Sequence, residues 1–140
     1  MAAVSKDDLQ ALARSKLDDA KLLLRRQRHS SAYYLAGYAI EFTLKAAIAR
    51  QIERHVLPDP TFLRNVYQHN LTKLIGLAKL GIELETARKA NARLDANWAI
   101  VSDWNVESRY ELIDPVRSVA MVKAVGEPSS GVFQWVQQHW

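Results

Sequence analysis

The stretch that decides the fold is Ser30–Ala49, which reads SSAYYLAGYAIEFTLKAAIA. It has the length of a long helix and is apolar almost throughout, with one carboxylate, Glu41, and one amine, Lys45. At 100° per residue, Tyr34 and Tyr38 fall within roughly 60° of these two charged groups. A helix that is apolar nearly all round is buried among other helices. The stretch therefore predicts a buried central helix whose few polar groups need partners or face a groove.

Helical signals precede and follow this central helix. Ser5 is the predicted N-cap of a first helix that runs to about Arg28, and the central helix continues toward Arg54. Prolines at positions 58 and 60 break the chain, because proline restricts both its own backbone and that of the preceding residue. We expect Thr61–His69 to be a loop, with at most a short helical turn over Phe62–Tyr67.

Three more helices are predicted after this loop. Asn70 caps a third helix that is closed by Gly81, and a fourth helix runs from about Glu83 to Trp104. Asp114, followed directly by proline, starts a fifth helix, and residues 126–140 form a C-terminal tail with a short helix. No window shows the alternation of a β-strand. We predict an all-α protein, an antiparallel up-and-down bundle of four to five helices, in one domain over residues 1–140 with its core at 5–125.

The composition excludes several kinds of chemistry. The 140 residues contain no cysteine, which rules out disulfides and thiolate metal sites and favours a cytoplasmic protein. The four histidines stand at no metal-ligand spacing and no glycine-rich phosphate loop occurs, so we expect no metal and no cofactor. If the central helix crossed a membrane, Glu41 and Lys45 would lie near mid-bilayer, so we expect no membrane span. The amino terminus lacks the apolar run of a signal peptide.

A polar constellation remains as the candidate site. Glu41 and Lys45 stand four residues apart in the favourable order, and two tyrosines share their helix stripe. A second group of charged and aromatic residues follows the fourth helix, and we hypothesise that its Arg109 reaches back to Glu41. Two interpretations stay open, a buried ion pair that fixes helix register or a groove that faces a ligand. The candidate residues are Tyr34, Tyr38, Glu41, Lys45, Arg109 and Tyr110.

Three short motifs, taken in order, resemble the HEPN domain family of helical nucleotide-binding domains from higher eukaryotes and prokaryotes. That family shows a helix of the form A-x-x-x-E-x-x-x-K, then a His-x-Leu-x-x-Leu helix, then an Arg-Tyr pair. Glu41 with Lys45, the His69-Asn70-Leu71 helix entry and Arg109-Tyr110 match these motifs, and the resemblance covers about residues 8–125. It implies a four- to five-helix bundle, often homodimeric and usually prokaryotic, frequently encoded beside a small nucleotidyltransferase.

Three functions stay open at this point. The first is a nucleotide- or RNA-binding module that acts with a nucleotidyltransferase partner in a toxin–antitoxin-like pair. The second is a metal-independent ribonuclease toxin, because many members of the family use Arg-x(4–6)-His. Two stretches have this spacing, from Arg50 to His55 and from Arg64 to His69. The latter stretch is the candidate, because Asn65 stands directly after its arginine, as is common in that family. The third is a non-catalytic interaction or structural bundle, in which Glu41, Lys45 and the hypothesised Arg109 contact only set the packing.

The aromatic residues predict self-association. Aromatic side chains are favoured as anchors of protein interfaces, and this chain has more of them than so small a bundle easily hides. We therefore predict a homodimer. The residues that motivate this prediction are Tyr33, Trp98, Trp104, Phe133, Trp135 and Trp140.

Overall fold

The computed structural model describes residues 3–140, and this part of the chain is helical with no β-strand. The prediction of an all-α protein is therefore confirmed. Eight α-helices and one 3₁₀ helix, Val106–Tyr110, follow one another along the chain. The α-helices are α1 Lys6–Arg25, α2 His29–Ala49, α3 Pro60–Val66, α4 Leu71–Leu77, α5 Gly81–Ala90, α6 Ala92–Ser102, α7 Pro115–Gly126 and α8 Val132–Gln137.

The predicted central helix is α2, and the other elements pack around it. It contacts α1, α4, α7, α8 and the 3₁₀ helix. Ile40, Leu44 and Ile48 are fully buried on it, and alanines between them let neighbouring helices approach closely. Because α2 is covered on nearly every side, the polar groups that it carries lie inside the protein or at the edge of a surface groove.

Helix α1 begins as the sequence predicts and forms a hairpin with α2. The Ser5 hydroxyl accepts a hydrogen bond from the Asp8 amide at 3.0 Å, and the Ser5 amide donates to the Asp8 carboxylate at 3.0 Å, which is a complete capping box. The chain then turns between α1 and α2 with Gln27 in the left-handed region, at φ 59°. The α1 face that carries Ala13, Leu17 and Ala20 is buried.

The start of α7 is tied to the start of α2. Asp114 caps α7 by accepting from the Arg117 amide at 2.8 Å, as its position before proline predicts. The Ile113 amide donates to the Ser30 hydroxyl at 2.9 Å, and the buried Ser118 hydroxyl donates to a carbonyl of α2 at 3.0 Å. These bonds hold the 3₁₀ helix, which directly precedes α7, beside the amino-terminal half of α2.

The segment Thr61–His69, predicted as a loop with a short helical turn, contains the seven-residue helix α3, which begins earlier than that turn. Asp59 accepts from the Thr61 and Phe62 amides at 2.8 and 3.1 Å, and Pro60 occupies the first helical position of α3. The second of the two prolines that break the chain therefore also starts the next helix, since proline at the first helical position loses no hydrogen bond.

The predicted fourth helix, Glu83–Trp104, is two helices. Asn91 has an extended backbone and its side chain accepts from the Arg93 and Leu94 amides at 3.1 Å, so it ends α5 and caps α6. Gly81 is also placed differently: it begins α5 and does not close the preceding helix. Lys79 takes the left-handed conformation expected of that glycine, at φ 59°.

The aromatic residues that motivated the homodimer are mostly buried within the chain. Trp98, Trp104, Tyr33 and Phe133 are buried, and Trp135 and Trp140 are partly buried. The premise that the bundle cannot hide them is therefore wrong. Part of the reason is the predicted C-terminal tail, because α8 packs against α2 and α7 with its two valines, Val132 and Val136, fully buried.

Candidate ligand-binding site

The buried acid of α2 is the centre of the site. Glu41 is 1 % exposed, and each of its carboxylate oxygens has a partner. Lys45 Nζ donates to Oε2 at 3.1 Å, and His69 Nδ1 lies 2.8 Å from Oε1. Because a buried charge without a partner is strongly destabilising, these two contacts are what make the burial of the carboxylate tolerable.

His69 approaches Glu41 from the segment that leads into α4. Asn70 caps α4 by accepting from the Lys73 amide at 3.0 Å, and this cap fixes the residue immediately before it. A carboxylate only accepts hydrogen bonds, so His69 Nδ1 carries the hydrogen and Nε2 is the free acceptor of the neutral ring. The His69 side chain is 44 % exposed, so the edge of the ring away from Glu41 is open to solvent.

Aromatic rings continue from His69 along α2. The Tyr38 ring centroid lies 6.2 Å from that of His69 and 5.3 Å from that of Trp104. The Tyr34 hydroxyl donates to the Tyr38 hydroxyl at 3.4 Å, with the two rings edge to face. Burial, the Tyr34 hydroxyl and the Glu41 carboxylate raise the pKa of Tyr38. The Tyr38 phenol therefore stays protonated at neutral pH and remains a hydrogen-bond donor.

The Trp104 indole can lie beside this row of rings because the residue of α2 that it packs against, Gly37, has no side chain. A Cβ atom on Gly37 would overlap the indole ring of Trp104. The backbone of Gly37 does not have a positive φ, so the glycine is required here by close approach and not by its backbone conformation. Trp104 is buried and forms the floor under Tyr34 and Tyr38.

The 3₁₀ helix supplies a cation and an exposed ring. Asn105 starts this helix by accepting from the Glu107 amide at 2.9 Å. The Arg109 guanidinium lies 4.9 Å from the centroid of the Tyr110 ring, which is largely exposed. The phenols of Tyr110 and Tyr34 raise the pKa of Arg109. The packing of the 3₁₀ helix on α2 puts this residue at the end of the row of rings.

Together these residues form one surface, which we call the Tyr–Arg strip. The contacts given above link the members on α2 to His69 and link Arg109 to Tyr110, and the packing of the 3₁₀ helix against α2 brings the two groups together. The Glu41–Lys45 pair lies beneath one end. The strip offers aromatic faces for stacking, a fixed positive charge, and phenol and imidazole groups that form hydrogen bonds. Its members, in spatial order, are His69, Tyr38, Tyr34, Arg109 and Tyr110.

The predicted polar residues come together in a different pairing from the one hypothesised. Within residues 3–140, the side chains with polar atoms against the Glu41 carboxylate are Lys45 and His69. The hypothesised contact between Glu41 and Arg109 is not formed, because Arg109 is exposed and lies over Tyr110. The Arg109-Tyr110 pair therefore belongs to the rim of the site, and not to its buried centre.

The predicted ribonuclease motif is not assembled as its spacing implies. Arg64 is exposed on α3, where its guanidinium donates to the Thr61 hydroxyl at 3.2 Å, and Asn65 is exposed beside it. His69 is turned toward Glu41. Among the described residues, no hydrogen bond links Arg64 or Asn65 to His69.

Sequence reasoning missed two features of this site. Trp104 was assigned to a helix end and an interface, and His69 was matched with Arg64 and not with Glu41. The two partners Glu41 and His69 are 28 residues apart, and helical spacing relates only residues of one helix. A signal was nevertheless present, since a buried carboxylate has two oxygens to satisfy and Lys45 can cover only one of them well.

The described part of the chain has neither a group of side chains suited to a metal ion nor a helix suited to a membrane. Residues 3–140 hold no group of three or more His, Asp or Glu side chains placed to bind a metal ion. No helix within the same residues combines the length and the apolar character needed to cross a membrane.

Comparisons with known proteins found no counterpart. No family model matches the chain, and neither a curated protein nor a solved structure matches it. The functional evidence is therefore the geometry of the Tyr–Arg strip and of the acid beneath it.

Proposed function

We propose that this protein is a HEPN-like helical module that binds single-stranded RNA or a nucleotide on the Tyr–Arg strip. The observation that carries the proposal is the packing of the 3₁₀ helix against α2, because it brings the stacked Arg109–Tyr110 pair to the side of α2 that carries the row of rings. Proteins bind unpaired nucleotides by stacking bases on aromatic or guanidinium planes and by attracting the phosphates with positive charge.

The resemblance to the HEPN family supports this proposal through one contact. Two of the three matching motifs, the acid of the central helix and the histidine before the next helix, meet as the Glu41–His69 pair. The proposed architecture is the four- to five-helix bundle of that family. A small nucleotidyltransferase partner in a toxin–antitoxin-like pair, a homodimer and a cytoplasmic location stay predictions.

We expect substitutions in the strip to weaken binding of a labelled single-stranded RNA of roughly twelve nucleotides. Arg109→Gln should weaken binding about fivefold at moderate salt. It should also make the plot of log binding constant against log salt concentration less steep, by the amount that corresponds to about one phosphate contact. Tyr110→Ala should weaken it about tenfold, because one base loses its stacking partner. Fluorescence anisotropy at several salt concentrations measures both effects, and neither exposed residue is needed for folding.

The matched control is Lys89→Gln, which removes one positive charge from an exposed side chain of α5. Binding of RNA should be unchanged within a factor of about two, because screening weakens charges that lie outside the contact surface. Equal losses from Lys89→Gln and Arg109→Gln would contradict the strip, since they would mean that only the overall charge matters.

Metal-independent RNA cleavage is a second candidate function, and the Glu41–His69 contact favours it. A carboxylate that holds Nδ1 leaves Nε2 of His69 oriented as a base, which could take the proton of a ribose 2′-hydroxyl. The 2′-oxygen would attack phosphorus, and the departing 5′-oxygen would take up a proton from the imidazolium. Arg109 lies at the far end of the strip from His69, so it would bind a neighbouring phosphate and hold the RNA against the strip, a role that Arg64 cannot fill.

For this second candidate, we expect His69→Ala to reduce cleavage of a labelled RNA about a hundredfold or more in the presence of EDTA. Arg109→Ala should reduce it at least tenfold and Arg64→Ala should leave it unchanged, as the strip contains only the first arginine. A denaturing gel separates product from substrate, and a substrate of deoxyribonucleotides should not be cut. If Arg64→Ala reduces cleavage more than Arg109→Ala does, the result would support the pairing of Arg64 with His69 that the sequence spacing predicts.

A further inference from the structure

Two buried polar groups beside the Tyr–Arg strip have no hydrogen-bond partner among residues 3–140. One is the indole Nε1 of Trp104, which is 2 % exposed, and the other is the hydroxyl of Ser108, which is 3 % exposed and directly precedes Arg109. The buried hydroxyl of Ser118, in contrast, is paired with a carbonyl of α2. A buried donor without a partner lowers stability, because it loses its hydrogen bonds to water and gains none in the protein. The two donors are therefore candidates for binding a ligand.

Both donors lie where the chain between α6 and α7 meets α2. A Cβ atom on Gly37 would overlap Trp104 Nε1, so this nitrogen faces the backbone of α2. Ser108 is the one buried residue of the 3₁₀ helix, and that helix packs against α2. The buried side of the 3₁₀ helix and the polar edge of the indole therefore face the same helix.

The segment that carries the serine is held mainly at its two ends. We call residues 105–112 the strap. Trp104 and Ile113, on either side of it, are buried, whereas seven of its own eight residues are not. Among residues 3–140, a single hydrogen bond joins the strap to the rest of the chain, from Arg117 to the exposed Glu111 at 3.1 Å. A segment with little buried apolar area and few bonds to its surroundings opens at low cost.

We propose that the strap lifts to admit one unpaired nucleobase, whose acceptor atoms take hydrogen bonds from Trp104 Nε1 and from the Ser108 hydroxyl. The indole N–H only donates, so it requires an acceptor, and the ring nitrogens and carbonyl oxygens of the bases are acceptors. The base thereby supplies the hydrogen bonds that the free protein lacks, and Arg109 lies beside the phosphate of the same nucleotide. The inference rests on the proposed function, because it assigns the groups that hold a base of the bound RNA.

Ser108→Ala tests the hydroxyl. The change should raise the melting temperature of the free protein by about 3 °C, because an unpaired buried hydroxyl is removed and no hydrogen bond is lost. The same change should weaken binding of the labelled RNA of roughly twelve nucleotides about fivefold, because the base loses one hydrogen bond. Thermal denaturation and fluorescence anisotropy give the two values.

Thr43→Val is the matched control. The Thr43 hydroxyl is also buried and unpaired, but at 100° per residue Thr43 lies about 180° from Tyr34, on the other side of α2. This variant should also gain stability, and it should bind RNA within a factor of about two of wild type. Equal weakening of binding by both variants would overturn the proposal, and so would a Ser108→Ala variant that is less stable than wild type.

The proposal and the proposed function fail in different ways. If Ser108→Ala binds RNA as tightly as wild type, the base does not enter beneath the strap, and the Tyr–Arg strip stands. If wild type binds no RNA, both are wrong.

Nuclear magnetic resonance tests the indole without changing it. In isotope-labelled protein, the Nε1–H resonance of Trp104 is identified by its absence from the Trp104→Phe variant. Addition of RNA should move this resonance downfield, because hydrogen bonding deshields the proton. The indole resonances of Trp98, Trp135 and Trp140 should stay in place. A Trp104 resonance that does not move, in protein that binds RNA, would contradict the proposal.

A single thiol reports the opening of the strap. The chain contains no cysteine, so Ser108→Cys places one thiol beneath the strap. Glu111→Gln, which removes the ion pair with Arg117, should speed the reaction of this thiol with a disulfide reagent about threefold. Saturating RNA should slow the reaction about tenfold or more, because the base covers the thiol. A thiol in Thr43→Cys should respond to neither change, and a Ser108→Cys thiol that RNA leaves equally reactive would overturn the proposal.

Discussion

Gly37→Ala is expected to lower the free energy of unfolding by about 3 kcal/mol or more. The added methyl group would overlap the Trp104 indole, a rigid ring that cannot fold away as the end of a lysine can. Movement of α2 would not relieve the overlap, because the helix is covered by α1, α7 and α8. Urea denaturation followed by circular dichroism measures the loss.

Gly81→Ala is the control for this substitution. A Cβ atom on Gly81 meets nothing within 4 Å, so alanine there should leave stability unchanged or raise it by about 0.5 kcal/mol. Adding Trp104→Leu to Gly37→Ala should cost less than the sum of the two single changes, since the smaller residue leaves room for the methyl group. A Gly37→Ala variant as stable as wild type would mean that the Trp104 ring does not pack against α2 at Gly37.

Glu41→Ala should destabilise the protein by about 3 kcal/mol or more. Most of this cost comes from the Lys45 ammonium, which is only 12 % exposed and would be left without its carboxylate. The lost attraction between the two charges contributes less. The double variant Glu41→Leu with Lys45→Met should restore most of the stability, because two apolar side chains of similar volume avoid the cost of burying charge. Thermal and urea denaturation of the three proteins give this comparison.

The chain contains its own control for the Glu41 experiment. Glu85 and Lys89 form an ion pair with the same four-residue spacing at 3.2 Å, but both side chains are exposed. Glu85→Ala should therefore cost no more than about 0.5 kcal/mol. If Glu41→Ala costs as little, the acid is not buried as described. If the apolar double variant is stable and still binds RNA, the pair serves packing and not recognition.

The sequence carries enough information for the helices and less for their boundaries. Ser5, Asn70 and Asp114 cap helices as predicted, because the capping hydrogen bond joins residues at most three apart. Asn91 is as good a cap, but the apolar pattern on either side of it reads as one helix. Asp59 was overlooked for a related reason, since a proline that ends one helix can equally start another.

The site was harder to predict than the fold. Helical spacing places Tyr34, Tyr38, Glu41 and Lys45 on one face of α2, and the contacts of these side chains agree with it. The second hydrogen-bond partner of the Glu41 carboxylate comes from a distant part of the chain. Its identity depends on how α4 and the 3₁₀ helix pack against α2. His69 and Arg109 could each have donated a hydrogen bond to this carboxylate, and tertiary packing places His69 beside it.

The short connection between α1 and α2 has a consequence for how the chain folds. Arg26–Arg28 is all that separates these helices, and the most extensive helix interface of the protein lies between them. Closing so short a loop costs little chain entropy, so this pair is the natural nucleus for folding. The partners α7 and α8 come from the far end of the chain, and their docking onto α2 would complete a scaffold that had already begun to form.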